Sequence, residues 1–261
     1  MHYDIHTHLF PPQIAAKALR QIEEYYSLRM VGSGLAEDML ERADVAGIDR
    51  VVALGAAIGP AQVVPVNNWA IALQRGDERI QAFGSVHPGY AQWEQELDRL
   101  RQAGIRGLKF HCEFQGFSMA DPGLLEIVRA ASPDFVLLFH VGDRLPPEQS
   151  MSCPRKLAAI LDVVPSARII AAHLGGRWHW DLALECLAGR ELYMDTSSTV
   201  DAIDPELFHE ILKRHSREKL LFGSDWPLRD PVEDIALLQS RMGLTESEIH
   251  ELMTNAARLF G

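Results

Sequence analysis

Short apolar runs alternate with amphipathic stretches along the whole chain. Eight runs stand out by their cores: His2 to His6, Arg50 to Leu54, Ile80 to Val86, Ile105 to His111, Phe135 to His140, Arg168 to His173, Glu191 to Asp195 and Leu220 to Gly223. Each is too short for a helix and rich in Val, Ile, Leu or Phe, which reads as a buried strand. Between them apolar positions recur at helical spacing, as in Gln13 to Tyr26, Leu35 to Ala46, Trp93 to Ala103, Leu124 to Ala131 and Pro205 to His215. Asp121-Pro122 and Asp204-Pro205 each join a capping side chain to a proline that presets the helical dihedral where no amide donor is needed, so each marks a helix start.

Eight strand-and-helix units in 261 residues, with no linker or low-complexity stretch between them, predict an α/β fold: one (β/α)8 TIM barrel over residues 1–261. An open, doubly wound sheet is the alternative. Against it, no glycine fingerprint follows the first strand, where Asp4-Ile5-His6-Thr7-His8 stands instead. Composition sharpens the picture: 47% hydrophobic and 23% charged residues exclude disorder. A formal charge of −11, from 36 acidic against 25 basic residues, leaves no footprint for a phosphate backbone, so nucleic acid is not an expected partner. Cys112, Cys153 and Cys186 lie far apart with no CxxC pair, which points away from a disulfide framework or a cysteine zinc site and toward a reducing cytoplasm. The opening MHYDIHTHLF has no basic region followed by an apolar stretch, and no segment is long and apolar enough for a membrane span. The expected partner is a small-molecule substrate, with a homodimer left open.

Candidate chemistry lies at the ends of the runs. They read His6-Thr7-His8, Lys109-Phe110-His111, His140-Val141-Gly142, His173-Leu174-Gly175-Gly176 and Ser224-Asp225-Trp226-Pro227. Residues two apart on a strand face the same side, so His6 and His8 can address one ion, and Lys109 and His111 share a face. Taken singly, each has an ordinary explanation: solvated or capping histidines, a satisfied core histidine at His140 or His173, a turn aspartate at Asp225. Taken together, the first, fifth, sixth and eighth strands would carry nitrogen and oxygen donors to one mouth of a barrel. Such a set suits a divalent transition metal, zinc before manganese, with a position open for water.

The motifs DIHTH, GLKFH, LLFHVG, IIAAHLGG and LLFGSDWP, in order from residue 4 to the closing NAARLFG, resemble the amidohydrolase superfamily, and most nearly its amidohydrolase-related branch of small metal-dependent hydrolases and decarboxylases. The resemblance implies that His6, His8, His140 and Asp225 bind or contact the metal. It implies a catalytic or second-metal role for His173, and for Asp225 the further role of accepting a proton from metal-bound water. Lys109 stands where binuclear members carry a carboxylated, metal-bridging lysine; mononuclear relatives keep an amine there, and one ion is favoured over two. His111 would bind substrate or metal.

These parts suit hydrolysis of an amide, lactone or related carbonyl bond, because a metal activates water and polarises the carbonyl. A metal-dependent lyase, a decarboxylase or hydratase acting on a small carboxylic acid, would use the same residues. A metal-free barrel serving as a binding protein is the third reading. Arg144, Arg177 and Arg229 each fall four residues after His140, His173 and Asp225, so three guanidiniums over the mouth would suit an anionic substrate unless they pair with local acids such as Asp143 and Asp230. Trp178, Trp180 and Trp226 would supply an apolar wall, with Trp226 the candidate for substrate contact. Related deoxyribonucleases place a glutamate at the fourth strand; the lysine here and the acidic composition argue against that activity.

Overall fold

A computed structural model describes residues 1–260. Eight strands form in the expected places: β1 Tyr3–Thr7, β2 Arg50–Ala53, β3 Ile80–Ala82, β4 Gly107–Phe110, β5 Val136–Phe139, β6 Arg168–Ala171, β7 Tyr193–Asp195 and β8 Leu220–Leu221. All pair in parallel and in sequence order, β1 to β3 and β4 to β8. Two joins close the ring. The Gly84 and Lys109 amides bond across β3 and β4, and the Ile5 amide reaches the Phe222 carbonyl across β1 and β8. Asp4 reinforces the second join by accepting from the Ser224 amide at 3.0 Å. Closure excludes the open sheet and establishes the TIM barrel.

Alternation along the strands sorts the core into two layers. Ile5, Val52, Leu54, Phe83, Val136, Leu138, Ile170 and Leu221 pack together as the inner layer. Their neighbours Val51, Leu108, Leu137, Phe139, Ile169 and Leu220 belong to the outer layer, beneath the helices. Gly107 is an inward position without a side chain, and Phe83 fills the space: a Cβ on Gly107 would lie 2.3 Å from that ring.

Helices occupy the expected spans within a few residues, at Ala15–Tyr26, Ala36–Ala46, Trp93–Gln102, Pro122–Ala131 and Pro205–Arg214. Asp121 caps by accepting from the Gly123 amide, and Asp204 from those of Glu206 and Leu207. The strands end earlier than the apolar runs. β3 ends at Ala82 and β4 at Phe110, short of Val86 and His111, and the residues beyond them continue as an isolated bridge at Gly84 and as the short helix Cys112–Gln115. No described helix is long and apolar enough to cross a membrane.

Candidate active site

Asp225 follows β8 in a left-handed conformation (φ 73°), tied by its amide to the His6 carbonyl at 2.8 Å. Its Oδ1 lies 3.4 Å from His6 Nε2 and 3.2 Å from His8 Nε2. Its Oδ2 accepts from Ser198 Oγ at 2.5 Å. Although β1 is irregular between Asp4 and Thr7, the two histidines meet, with ring centroids 5.2 Å apart. Their outer nitrogens are already committed: His8 Nδ1–H donates to the Leu54 carbonyl at 3.2 Å, and His6 Nδ1–H to Asp195 Oδ2 at 3.1 Å. Both Nε2 lone pairs therefore point toward Asp225, the tautomer a metal needs.

His173 and His140 form a second chain of orientation. His173 Nδ1–H donates to the Ser197 carbonyl at 2.9 Å, so its Nε2 accepts from His140 Nδ1–H, also at 2.9 Å, leaving His140 Nε2 bare. The structure thus groups His6, His8 and Asp225 closely, while His140 stands beside them, bonded to His173 and stacked on His111 at 3.8 Å between centroids. Lys109 is fully buried, and its Nζ donates to His6 Nε2 at 3.3 Å. That lone pair can serve Lys109 or a metal, not both at once.

Electrostatics follow from burial. Desolvation pushes the Lys109 ammonium down to about 8 against the pull of Asp225 and Asp195, and pushes His173 down to about 3. His140 and His111 are held well below the usual imidazole value by burial first and then by competition with other basic side chains, His111 and His173 for His140 and Lys109 for His111. Burial alone would raise Asp225, yet His6, His8 and His173 hold its carboxyl well below the ordinary range. Asp195 likewise falls to about 2, because His6, His173 and Ser197 outweigh its desolvation. Buried imidazoles of lowered basicity thus stand beside carboxylates of raised acidity, a donor set that fits a divalent cation.

The arginines are more committed than their spacing suggests. Arg229 pairs with Asp234 at 2.6 Å and Asp201 at 3.1 Å. Arg177 is buried, donates to the Ser198 carbonyl and lies 4.4 Å from the Trp178 ring centroid. Arg144 donates to the Tyr26 carbonyl and shares the same ring from 5.4 Å. Trp226 is buried under the Gly32 loop, where any Cβ would collide with the indole at 2.1 Å. Asp230 caps the helix Pro231–Ser240 and binds Arg42 at 2.5 Å.

Sequence reading overlooked Asp195, Ser197 and Ser198, which orient His6, His173 and Asp225. The signal was present as an abrupt polar run, Asp195-Thr196-Ser197-Ser198-Thr199, directly after an apolar strand. Tyr26 and Glu113 were also overlooked. Tyr26 reaches the mouth from the end of the helix Ala15–Tyr26, far from it in sequence, and Glu113 from the short helix Cys112–Gln115 that follows β4.

An amidohydrolase family model matches residues 3–261. The chain belongs to the amidohydrolase family. Solved relatives share the fold over nearly its full length. A 2,6-dihydroxybenzoate decarboxylase from Rhizobium aligns with a TM-score of 0.70 at 15% identity, covering 99% of this chain and 98% of that one. A 5-carboxyvanillate decarboxylase from Novosphingobium aromaticivorans, crystallised with manganese, gives 0.71 at 14% identity, with 100% and 97% covered. A probable 2-pyrone-4,6-dicarboxylic acid hydrolase from Acinetobacter baumannii gives 0.71 at 15%, with 100% and 99% covered. A comparison with curated proteins returns no match. This amidohydrolase therefore shares its architecture with decarboxylases, one of them crystallised with manganese, and with a probable hydrolase.

Proposed function

We propose that this amidohydrolase is a metal-dependent hydrolase that cleaves an amide, lactone or related carbonyl bond in a small substrate. The observation that carries the reading is the convergence of His6 Nε2 and His8 Nε2 on Asp225 Oδ1, each imidazole fixed in the metal-binding tautomer from behind. His6, His8 and Asp225 would hold the ion, with the bare His140 Nε2 as fourth donor. Zinc is preferred over manganese for three imidazoles and one carboxylate, and one ion at this centre over two, with Lys109 remaining an amine. Bound there, the metal would supply Lewis acidity and an activated water.

The chain's own residues handle position and protons. Asp225, ionised and steadied by Ser198, accepts a proton at Oδ1 and returns it to the leaving group. His173, neutral and anchored by Ser197, would act through Nε2 on the proton it accepts from His140 Nδ1, fixing the His140 tautomer that leaves Nε2 bare. Arg177, buried beside the site with its face covered by Trp178, is the guanidinium best placed to hold an anionic group, and Arg144 shares that ring; Trp226, covered by the Gly32 loop, would contact substrate only through its position next to Asp225. Arg229, bound by two aspartates, contributes by fixing the loop after β8. The free cysteines support a reducing, cytoplasmic setting.

The lyase reading has an observation of its own: decarboxylases acting on hydroxylated aromatic acids share this fold across the whole chain. The two separate on Asp225→Asn compared with wild type at matched zinc occupancy, using a panel of lactones, amides and aromatic carboxylates. Hydrolysis that falls about 10²–10⁴-fold in kcat with KM little changed is the expected outcome. Carbon dioxide release with no hydrolysis would establish the lyase. An Asp225→Asn protein that keeps its metal and hydrolyses at wild-type kcat would overturn the mechanism.

A further inference from the structure

Beside the Asp225 centre lies a second group of buried donors for which the mechanism has no use. His111 is 5% exposed and the Glu113 side chain 5% exposed, yet His111 Nδ1 and Glu113 Oε2 have no hydrogen-bond partner among the described residues. Orphaned polar atoms at this depth are costly unless a ligand answers them. Their other atoms are already fixed. Ser152 Oγ donates to Glu113 Oε1 at 2.5 Å, and His111 Nε2 is hydrogen-bonded to Tyr26 Oη at 3.1 Å; with the ring proton on Nε2, the Nδ1 lone pair faces Glu113. The Asp143 carboxylate, also with an orphaned Oδ2, adds a second negative charge acting on Glu113.

The spacing selects the ligand. His111 Nδ1 and Glu113 Oε2 are 3.7 Å apart, too far for a direct hydrogen bond. A water or ammonium bonded to both at about 2.8 Å would subtend roughly 80°, well inside a tetrahedral angle. A metal ion at about 2.1–2.2 Å from each would subtend about 115–125°, in the range of tetrahedral coordination. His140 also brings a donor atom within 4.8 Å of this pair. Its ring lies parallel to His111, with 12° between planes, so an ion in the plane of one imidazole sits off the plane of the other. His140 is therefore left to the Asp225 centre.

We propose that His111 and Glu113, oriented by Tyr26 and Ser152 and joined by the charge of Asp143, form a second divalent-cation site, distinct from the one assigned to His6, His8 and Asp225. The test is metal stoichiometry by elemental mass spectrometry on the full-length chain, stripped with chelator and reloaded with zinc alone or manganese alone. Wild type should hold two ions, Glu113→Gln one, and the His6→Ala/His8→Ala double variant one. A wild type holding a single ion that the double variant keeps and Glu113→Gln loses would support this site while removing the Asp225-centred one. Glu113→Gln with undiminished stoichiometry would overturn the proposal. Should that variant fold poorly by circular dichroism, anomalous diffraction from zinc-loaded wild-type crystals decides: a peak between His111 Nδ1 and Glu113 Oε2 is expected, and its absence refutes the site.

Discussion

Where β1 begins, Phe260 packs against Tyr3 at 5.9 Å and against Phe83 at 6.0 Å between ring centroids, over a layer of aliphatic side chains. At the C-terminal end, the same strands deliver histidines, carboxylates and a buried lysine. Backbone strain divides the same way. His173, Leu174, Trp178, Ser198 and Asp225 all have positive φ at the mouth, whereas Ser27, the sixth such non-glycine residue described, merely ends a helix. Each of these conformations costs on the order of 1 kcal/mol and persists because its surroundings hold it. One end of the barrel therefore supplies stability, and the other spends some of it on holding reactive groups in place.

The largest test of that division is Phe83→Ala. Phe83 is fully buried in the inner layer, and its truncation should cost about 3–5 kcal/mol. Thermal denaturation should show a fall in Tm on the order of 10 °C, with zinc stoichiometry unchanged. Loss of metal alongside the Tm would show that the two ends are not separable.

A middle-sized effect concerns acid. In the metal-free protein burial pushes His173 down to about 3, while the unfolded chain takes up that proton near 6.5. Between those values the unfolded state binds more protons, so stability is fully present above about 6.5 and is lost as pH falls toward 3. Removing this group through His173→Asn should flatten the dependence. Urea unfolding of the metal-free protein at pH 7 and 4.5 measures the change, and an undiminished pH slope in the variant would place the acid sensitivity elsewhere.

The smallest effect belongs to the helix Glu246–Thr254, remote from the mouth. Glu248 completes a capping box with Thr245; the Thr245 amide, with Arg217, brings its carboxyl down to about 2. This contribution is present above the ordinary glutamate value of 4.5 and is lost as pH falls through about 2. Glu248→Ala should cost no more than about 1 kcal/mol at pH 7, since the pair faces solvent. Turnover and metal content should stay at wild-type levels in the same preparation; a change in either would link the far helix to the site.

The barrel was legible from the chain's own pattern. Its eight apolar runs became the eight strands, and the Asp-Pro pairs became helix starts, because hydrophobic period and cap chemistry are local properties that any fold must honour. It also placed His6, His8, His140, His173 and Asp225 at strand ends, where closure of the ring brings them to one mouth. What surrounds each of them there depends on the assembled fold. Whether an arginine faces solvent, a substrate or an aspartate depends on contacts between loops far apart in the chain, as Arg229 shows with Asp201 and Asp234. The tautomers of His6 and His173 rest on Asp195 and Ser197, and the orphaned pair His111 and Glu113 exists only because Tyr26 and Ser152 take up their other atoms. Hydrogen-bond satisfaction is a property of the assembled neighbourhood, and periodicity carries no record of it.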